Sequence, residues 1–596
     1  MRLKKVLAAA MALVLGTALS VSAQTRQVSG TVLDSGQQPV VGAAVIHSPT
    51  NGATTGIDGR FTLSVPAGTV ALEVNCLGYK VREVSVPAGQ SEVTIILEED
   101  TETLNETVVV GYGVQKKVNL TGAVTSVSAS DLKDRTTHNL TDMLQGSVPG
   151  LNISTSSGNP GSVGSLNIRG VTSINGASPL VLVDGAVGEL DRVNPNDVES
   201  ISVIKDASAA AVYGARAAYG VILITTRTGS ERGGKATVRY NGRFGWEEPT
   251  TSTDYETRGF WSVYTVDTFW QADAGKKYTT YTDYDMAQLL ARVNDKTENP
   301  ARPWIVQDFR NGRNQWVYYC NTDWWHEMFN DRHPVQTHNV SVSGGDKNVK
   351  YFLSGGFDDE TGIIKSEPDE FKKFNLRSKI DARINKYVRI SNNTSFYNSV
   401  YSFLGVGNVQ DAIQYSARHA LASFPLQNPD GSWVYGTPMI SGSYNVANGR
   451  HIMFGDKKDI NKQRKNDFSN TTELRINPIP QLTLVANFTY RYHENKNTSR
   501  LTNFSYRRYP DSDLEYYTTG AGQDQLTETN RGYNYTAGNV YATYQDTFAG
   551  AHNLTVTAGY NVERQYTKYI EAVGQNLLSE SLNDLSLTAT PIPRTL

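Results

Sequence analysis

Apolar and polar residues alternate strictly along several segments of the chain from about residue 236 onward. The segment 237–246 is the first, and 481–493 and 553–563 repeat the pattern. Segments of about ten residues with one apolar and one polar face are typical of transmembrane β-barrel strands. A soluble β-sandwich also alternates, so the alternation by itself leaves two architectures open. The first segment has Val238, Tyr240, Phe244 and Trp246 on its apolar face and Thr237, Arg239, Asn241 and Arg243 on its polar face.

The connections between these segments favour the barrel, because they alternate between short and long. Outer-membrane barrels have short periplasmic turns and longer extracellular loops, with aromatic residues at the strand ends. The pattern therefore predicts an antiparallel transmembrane β-barrel over 236–596, with nine strands. Short connections are predicted at 345–348, 385–386, 477–480 and 547–552, and long ones at 247–336, 359–370, 398–465 and 494–532.

The predicted strand number bears on whether the barrel is complete. Bacterial barrels close with an even number of strands, and an open edge in lipid leaves backbone groups unpaired. Nine strands therefore predict an incomplete barrel and a chain that is truncated at its C-terminus.

The first residues predict export. Arg2, Lys4 and Lys5 precede an apolar run over 6–19, and Val21-Ser22-Ala23 is typical of a cleavage site. A basic start, an apolar stretch of this length and small residues at its end indicate a secretory signal peptide over 1–23. No other run has the roughly 20 apolar residues that a membrane-spanning helix needs.

Two smaller domains are predicted between the signal peptide and the barrel. Residues 24–98 contain short alternating runs separated by turn residues, including Asp58-Gly59, and predict a β-sandwich. Residues 115–229 predict an α/β domain, with strands ending near Arg169 and Asp184 and a short Ala-rich helix at Ala207–Val212 that ends at Gly214. The overall fold class is therefore mainly β, with an α/β domain between the sandwich and the barrel.

The linker over 99–114 joins these two domains. It begins with acidic residues and continues into Glu106, Thr107, Val108, Val109 and Val110, followed by glycines. The valines favour an extended backbone. Such a segment is either an ordinary edge strand or a strand kept available for addition to a partner's sheet.

Composition and charge exclude several classes of protein. The formal net charge is -3, so no nucleic-acid partner is predicted, and two cysteines exclude a disulfide scaffold. Only five of the aromatic residues, among 32 Tyr, 18 Phe and 8 Trp, precede residue 235. His326-Glu327 does not continue into HExxH, and the histidines lack metal-ligand spacing. No catalytic residue, metal site or cofactor is predicted, and the chain is not expected to be an enzyme.

Several long motifs resemble one transporter family. NETVVVGYG from Asn105, DMLQGSVPGLNI from Asp142, IRGVTSINGASPLVLVDG from Ile168 and VESISVIKDASAAAVYGARAAYGVILITT from Val198 occur in that order. Together with TDWWHEMF from Thr322 they resemble the SusC/RagA class of TonB-dependent outer-membrane transporters. Residues 24–98 are similar to carboxypeptidase-regulatory-like modules, a name that implies a fold and no peptidase activity.

The resemblance implies a function and partners. Residues 115–229 would be the plug, and Glu106 to Val110 the TonB box, which pairs with TonB by strand addition. The chain would lie in lipid of the bacterial outer membrane and import an oligosaccharide or peptide under a SusD-like lipoprotein lid. A siderophore or vitamin receptor and a surface adhesin barrel are the alternatives. The sequence does not identify the substrate.

Individual side chains keep two interpretations each. Arg169 and Asp184 either form ion pairs that hold the plug in the barrel or serve as turn and solvent residues. In Lys205-Asp206, the aspartate is expected to cap the following helix. Four aromatic residues of the long loops are expected either to stack on sugar rings or to pack within the loops: Tyr401, Phe403, Trp433 and Tyr435.

Overall fold

The structure of the protein is a computed structural model. The chain divides into two compact units, Met1–Ala123 and Val124–Leu596, and each is described by itself. The predicted signal peptide lies outside the described residues. The structure describes residues 25–48, 51–76, 79, 81–98, 107–110, 113–116, 124–132, 135, 137, 139–168, 170, 178–206, 210–230, 234–366, 368–403, 409–456, 459–517, 524–548, 552–579 and 581–592.

The first unit contains a β-sandwich of two sheets, with strand orders β4-β1-β7 and β3-β2-β5-β6. Every second residue of β4 and β5 is buried, and the buried side chains of both sheets form one core that includes Val28, Val45 and Leu72. The predicted sandwich is confirmed. The strands are β1 (Thr25–Leu33), β2 (Ala44–Ser48), β3 (Asn51–Thr54), β4 (Arg60–Pro66), β5 (Val70–Asn75), β6 (Arg82–Val86) and β7 (Glu92–Ile96).

A two-stranded hairpin follows in the same unit. Strand β8 (Thr107–Val110) pairs in antiparallel register with β9 (Gly113–Lys116). The predicted TonB box therefore lies on β8, except for Glu106, which is outside the described residues. The predicted division between linker and plug, after residue 114, falls within β9.

The second unit begins with an α/β domain around a five-stranded sheet of order β10-β15-β16-β13-β14. Its only parallel pair among the described strands is β13 with β16. A smaller hairpin, β11 with β12, packs with two short helices against the same core. The elements are β10 (Val124–Ser128), α1 (Ala129–Leu132), α2 (Leu140–Met143), β11 (Leu151–Ser154), β12 (Ser165–Ile168), β13 (Leu180–Val183), β14 (Ala186–Val187), β15 (Val198–Ile204) and β16 (Val221–Thr226).

Short 3-10 turns carry the connections of this domain, at Leu190–Arg192, Pro195–Asp197 and Ala211–Ala217. Ala211 and Val212, the end of the α-helix predicted at Ala207–Val212, lie in the last of these 3-10 turns. Gly214 has a φ of 67° there and interrupts the turn, as its position in the sequence suggested. Residues 207–209 lie outside the described part of the chain.

The rest of the unit is built on one ten-stranded antiparallel sheet. Short and long connections alternate between the two ends of the sheet, as predicted. The prediction of nine strands was wrong by one, because the tenth strand has only five residues and contains Pro591, a residue type that is uncommon inside strands. The strands, in sheet order, are β17 (Thr237–Glu247), β20 (His333–Gly345), β21 (Val349–Thr361), β22 (Glu370–Arg383), β23 (Val388–Phe403), β24 (Ile460–Ile479), β25 (Leu482–Leu501), β28 (Gln525–Phe548), β29 (His552–Leu577) and β30 (Thr588–Ile592).

The two faces of this sheet reverse the arrangement of an ordinary soluble protein. On β22 the side chains of Phe374, Leu376 and Ile380 are exposed. On the opposite face of the same strand, Lys373 and Arg377 are buried. The apolar face therefore points away from the domain and the polar face points inward, as the alternation predicted. Within the described residues, the edge strands β17 and β30 pair with no further strand, so the sheet is not closed.

The long connections fold into a layer with its own hydrophobic core, centred on buried aromatic residues such as Trp316, Trp324 and Phe424. Tyr401 and Phe403, at the end of β23, stack at 5.9 Å and pack against this layer, and Tyr435 packs against Phe504. The layer contains α3 (Gly259–Ala274), α4 (Asp283–Ala291), β18 (Ile305–Arg310), β19 (Arg313–Tyr318), α5 (Trp324–Met328), α6 (Val409–Ala412), a π-helix (Ile413–Arg418), a 3-10 turn (Val446–Gly449), α7 (Arg450–Asp456), β26 (Phe504–Tyr506), β27 (Glu515–Tyr517) and a 3-10 turn (Leu585–Leu587).

None of the helices that the structure describes is long and apolar enough to cross a membrane.

The sandwich provides a stability prediction at the Asp58-Gly59 turn. Gly59 has a φ of 71°, and a Cβ there would lie 2.7 Å from the Val32 carbonyl oxygen and 2.9 Å from the Pro39 Cβ. Gly89 also has a positive φ, 92°, but a Cβ there meets nothing within 4 Å. We expect Gly59→Ala to lower the free energy of unfolding of the sandwich by about 1 to 3 kcal/mol more than Gly89→Ala, because only the first adds steric overlap.

Hydrogen exchange of the β1 and β4 amides in the full chain measures both variants. Equal losses of protection in the two variants would show that backbone strain alone determines the cost.

Candidate functional site

The inner face of the ten-stranded sheet contacts the α/β domain through charged side chains. Asp184 occupies the central position in this contact. It directly follows β13, has a φ of 48° and precedes Gly185, so the chain turns at this point and directs the aspartate toward the sheet. Asn and Asp tolerate this left-handed conformation better than most residues.

Both carboxylate oxygens of Asp184 accept hydrogen bonds. Oδ1 accepts from Lys379 Nζ at 2.9 Å and from the Thr226 backbone N–H at 3.0 Å. Oδ2 accepts from Thr226 Oγ1 at 2.5 Å and from Asn393 Nδ2 at 2.7 Å. Arg377 adds a longer ion pair at 3.8 Å. The donors come from β16 of the α/β domain and from β22 and β23 of the large sheet, so one carboxylate joins the two parts.

The charge state of Asp184 follows from this environment. Burial raises the pKa of its carboxyl, but Lys379, Arg377 and the two Thr226 hydrogen bonds together bring the pKa below its usual value. Asp184 is therefore ionised at neutral pH, and its pairing with the sheet is fully present there.

Asp197 lies on the other side of Arg377. It is buried, and one of its carboxylate oxygens is 3.5 Å from Arg377 Nε. Burial raises the pKa of Asp197, and Arg377 and Ser354 oppose that rise only in part. A cavity of about 60 Å³ lies beside this pair, lined also by Asn375, and its polar walls and size suit ordered water.

A second cluster surrounds Asp467, which lies on β24. Arg192 of the α/β domain donates to Asp467, and Arg491 of β25 donates to the same carboxylate at 2.5 Å. Glu189 contacts both arginines, at 2.5 Å from Arg192 and 3.3 Å from Arg491. Arg192 also lies 3.3 Å from His493 Nε2. Asp467 thus has one partner in the α/β domain and another within its own sheet.

Two further contacts extend the interface. Arg216 forms a bidentate pair with Glu563 on β29, with both distances 2.8 Å. The Gly161 N–H donates to Glu360 Oε2 at 2.7 Å. A Cβ at Gly161 would overlap the Phe371 ring, so the loop approaches the sheet as closely as only glycine permits.

The remaining predicted side chains lie elsewhere. Lys205 Nζ donates to the Pro149 carbonyl oxygen at 2.6 Å, a contact inside the α/β domain. The carbonyl of Asp206 accepts from the Ala210 N–H at 3.0 Å, which is a turn contact of the backbone. Arg169 lies outside the described residues.

Sequence reasoning missed most of the interface. Arg192, Asp197 and Arg216 were not singled out, nor were their partners on the sheet. A signal was present, because charged residues such as Arg377 and Asp467 alternate with outward apolar residues and so must point inward. Buried charges require partners, which can come from neighbouring strands of the sheet or from the domain that packs against its inner face. In the described residues, no group of three or more His, Cys, Asp or Glu is placed to hold a metal ion.

Comparison with protein-family models identifies both small domains. The TonB-dependent Receptor Plug Domain matches residues 116–221, and the CarboxypepD_reg-like domain matches residues 28–109. The domain that pairs with the sheet through Asp184 and Arg192 is therefore a plug domain.

Curated relatives agree along most of the chain. "TonB-dependent receptor SusC" of Bacteroides thetaiotaomicron is 29% identical over 529 residues, which are 83% of this chain and 47% of the relative. The chain is related to the SusC-like TonB-dependent receptors. "TonB-dependent receptor P26" of Formosa agariphila is 27% identical over 577 residues, 94% of this chain and 51% of the relative. The SusC-like resemblance inferred from the motifs is thus confirmed.

The solved structure of the RagAB peptide importer in its "open-open" state is also similar, with 25% identity and a TM-score of 0.63. The alignment covers 82% of this chain and 52% of the solved chain. The chain therefore spans about half the length of the SusC-like relatives it matches. The mainly-β fold class, with a regulatory-like sandwich, a plug and a large antiparallel sheet, is confirmed.

The clusters around Asp184 and Asp467 predict different costs of disruption. In Asp184→Asn the new amide N–H₂ faces donors, and Lys379 and Arg377 lose a buried partner. We expect the contact between plug and sheet to weaken by about 3 kcal/mol. In Arg192→Gln, Asp467 keeps Arg491, so we expect a loss of about 1 kcal/mol.

Hydrogen exchange of the β13 and β16 amides, measured on the full chain in detergent, would compare the two variants. Equal effects would show that Arg491 does not compensate for the loss of Arg192.

Proposed function

We propose that this chain is part of an active importer that moves a nutrient across the bacterial outer membrane with energy supplied through TonB. The observation that carries the proposal is the inside-out sheet, whose charged inner face pairs with a plug domain through Asp184, Arg192 and Arg216. The SusC-like relatives, named TonB-dependent receptors, support the same conclusion. The outward apolar side chains would contact outer-membrane lipid.

The interface suits a plug that must move and return. It consists largely of hydrogen bonds and ion pairs, which water can replace when the two surfaces separate. A hydrophobic interface of the same size would expose apolar surface to water each time it opened, which is unfavourable in free energy. TonB would bind the box, Glu106 to Val110, by strand addition and transmit force to the plug. Asp184 would anchor the plug, whereas Lys205 and Asp206 would shape it internally, and Arg169 is proposed as a further anchor.

The proposed organisation of the chain follows the sequence. Residues 1–23 are the signal peptide, 24–98 the regulatory-like sandwich, 99–114 the linker with the TonB box, 115–229 the plug and 236–596 a partial transmembrane β-barrel. The loop layer would contact a SusD-like lipoprotein, which is the partner expected of a SusC-like chain.

The proposed substrate is an oligosaccharide or a peptide. RagAB, one of the similar solved structures, is a peptide importer. We propose peptide import for this chain on the basis of that similarity. A siderophore or vitamin receptor is the second candidate, and a surface adhesin the third. An adhesin needs no energy coupling, so the box-like strand β8 favours transport.

Coupling of TonB to the receptor through strand β8 makes a specific prediction. In the complete receptor, Val108→Pro removes a backbone donor from β8 and should abolish TonB-dependent uptake, while Val108→Ile keeps the strand extended and should preserve uptake. Uptake of labelled oligosaccharides, peptides and ferric siderophores, with and without TonB, separates the substrate classes. Both variants should reach the outer membrane in equal amounts.

Uptake that survives in Val108→Pro would refute coupling through this segment. TonB-dependent uptake of the siderophore alone would favour the second candidate, and binding to a surface without any uptake would favour an adhesin.

A further inference from the structure

The strand that carries the proposed TonB box is already paired with another part of the same chain. Thr107, Val108, Val109 and Val110 face Lys116, Gln115, Val114 and Gly113, respectively, in antiparallel register. An added strand must hydrogen-bond to a free edge of β8. Because β8 has two edges and β9 occupies one of them, the hairpin restricts how a partner can bind.

The local sequence is suited to this hairpin. The two residues between the strands are Gly111 and Tyr112. A two-residue connection with glycine first is typical of a type II′ hairpin turn. The residues therefore favour the self-paired form by a mechanism that does not depend on the rest of the fold.

The two strands of the hairpin differ in quality. Strand β8 has three consecutive valines, which favour extended backbone strongly. Strand β9 contains Gly113 and Lys116, residue types with low preference for strands, and only one valine. Isolated two-stranded hairpins are at best marginally stable in water. Strand β8, which has high strand propensity, is therefore paired with a strand of low propensity. A partner strand of higher propensity can replace β9.

We propose that β9 is a built-in competitor for TonB: it covers the edge of β8 at which the TonB strand is added, and TonB binds by displacing it. This rests on the proposed role of β8 as the TonB-binding strand. At rest most molecules are closed, and the apparent affinity for TonB is reduced by the fraction that is open. Opening the hairpin by mutation should restore that affinity.

Two opposite variants test the competition on the complete receptor. Gln115→Pro removes a backbone donor from β9 and leaves β8 unchanged. Val109→Cys with Val114→Cys places two thiols on directly opposed residues, where the Cα separation in antiparallel strands suits a disulfide. The probe is the isolated periplasmic domain of TonB, and the readout is its dissociation constant.

We expect Gln115→Pro to bind TonB about 3- to 10-fold more tightly, because the closed form is lost. The oxidised double-cysteine variant should bind at least about 10-fold more weakly, and reduction should restore binding. The reduced form of that variant is its own control, and the oxidised wild-type chain controls for Cys76 and Cys320, which are free.

Two results would overturn the competition. If the oxidised variant and the wild type bind TonB equally well, then TonB adds to the other edge of an intact hairpin. Weaker binding of Gln115→Pro would show that β9 supports the bound form. The underlying role of β8 fails separately: in that case Val108→Pro, which lacks the N–H on the edge that β9 covers, binds the TonB domain as tightly as the wild-type chain does.

Discussion

A charge that is removed from water must have a partner, and this requirement shapes the second unit of the protein. The large sheet presents apolar side chains outward, so its polar side chains are directed inward. Some of them pair within the sheet, as Lys373 does with Asp358 at 3.2 Å. Others, such as Arg377 and Lys379, reach their acidic partner only in the plug. The plug therefore neutralises charged side chains on the inner face of the sheet in addition to packing against that face.

The two clusters differ in whether the charges left on the sheet still have partners when the plug moves away. Asp467 keeps Arg491 on the neighbouring strand, so the sheet stays nearly neutral at that point after Arg192 departs. Among the residues that the structure describes, no sheet carboxylate substitutes for Asp184 beside Lys379 and Arg377, which stay behind when the plug leaves. The interface is thus easier to open on the side of the 3-10 turn at Leu190–Arg192 than at the end of β13.

Period-two alternation made much of the fold predictable, because side-chain direction in a strand is decided by neighbours along the chain. It located the strands of the sheet, their inward faces and the short connections. It failed at β30, which has only five residues and contains Pro591, so that the strand signal is weak there. Helices α3 to α5, inside the long connection before β20, were not predicted either. Their core depends on aromatic residues brought together from distant loops.

The candidate site was less accessible to sequence reasoning. Asp184 was singled out because it ends an apolar strand, yet its partner Lys379 lies 195 positions further on. Only the register between two domains brings these residues together, and no local pattern encodes that register. Strand β8 was recognised from its valines. Its pairing with β9 was local and could have been inferred from Gly111-Tyr112.

The hairpin also sets the length of chain between the two matched domains. The CarboxypepD_reg-like match ends at residue 109, on β8, and the plug match begins at residue 116, on β9. Closed, the hairpin places Thr107 beside Lys116. Unzipped and extended, the same stretch reaches about 30 Å, comparable to the hydrocarbon thickness of a membrane. A pull on β8 would therefore first take up slack, and full tension would reach the plug only after that length has been drawn out.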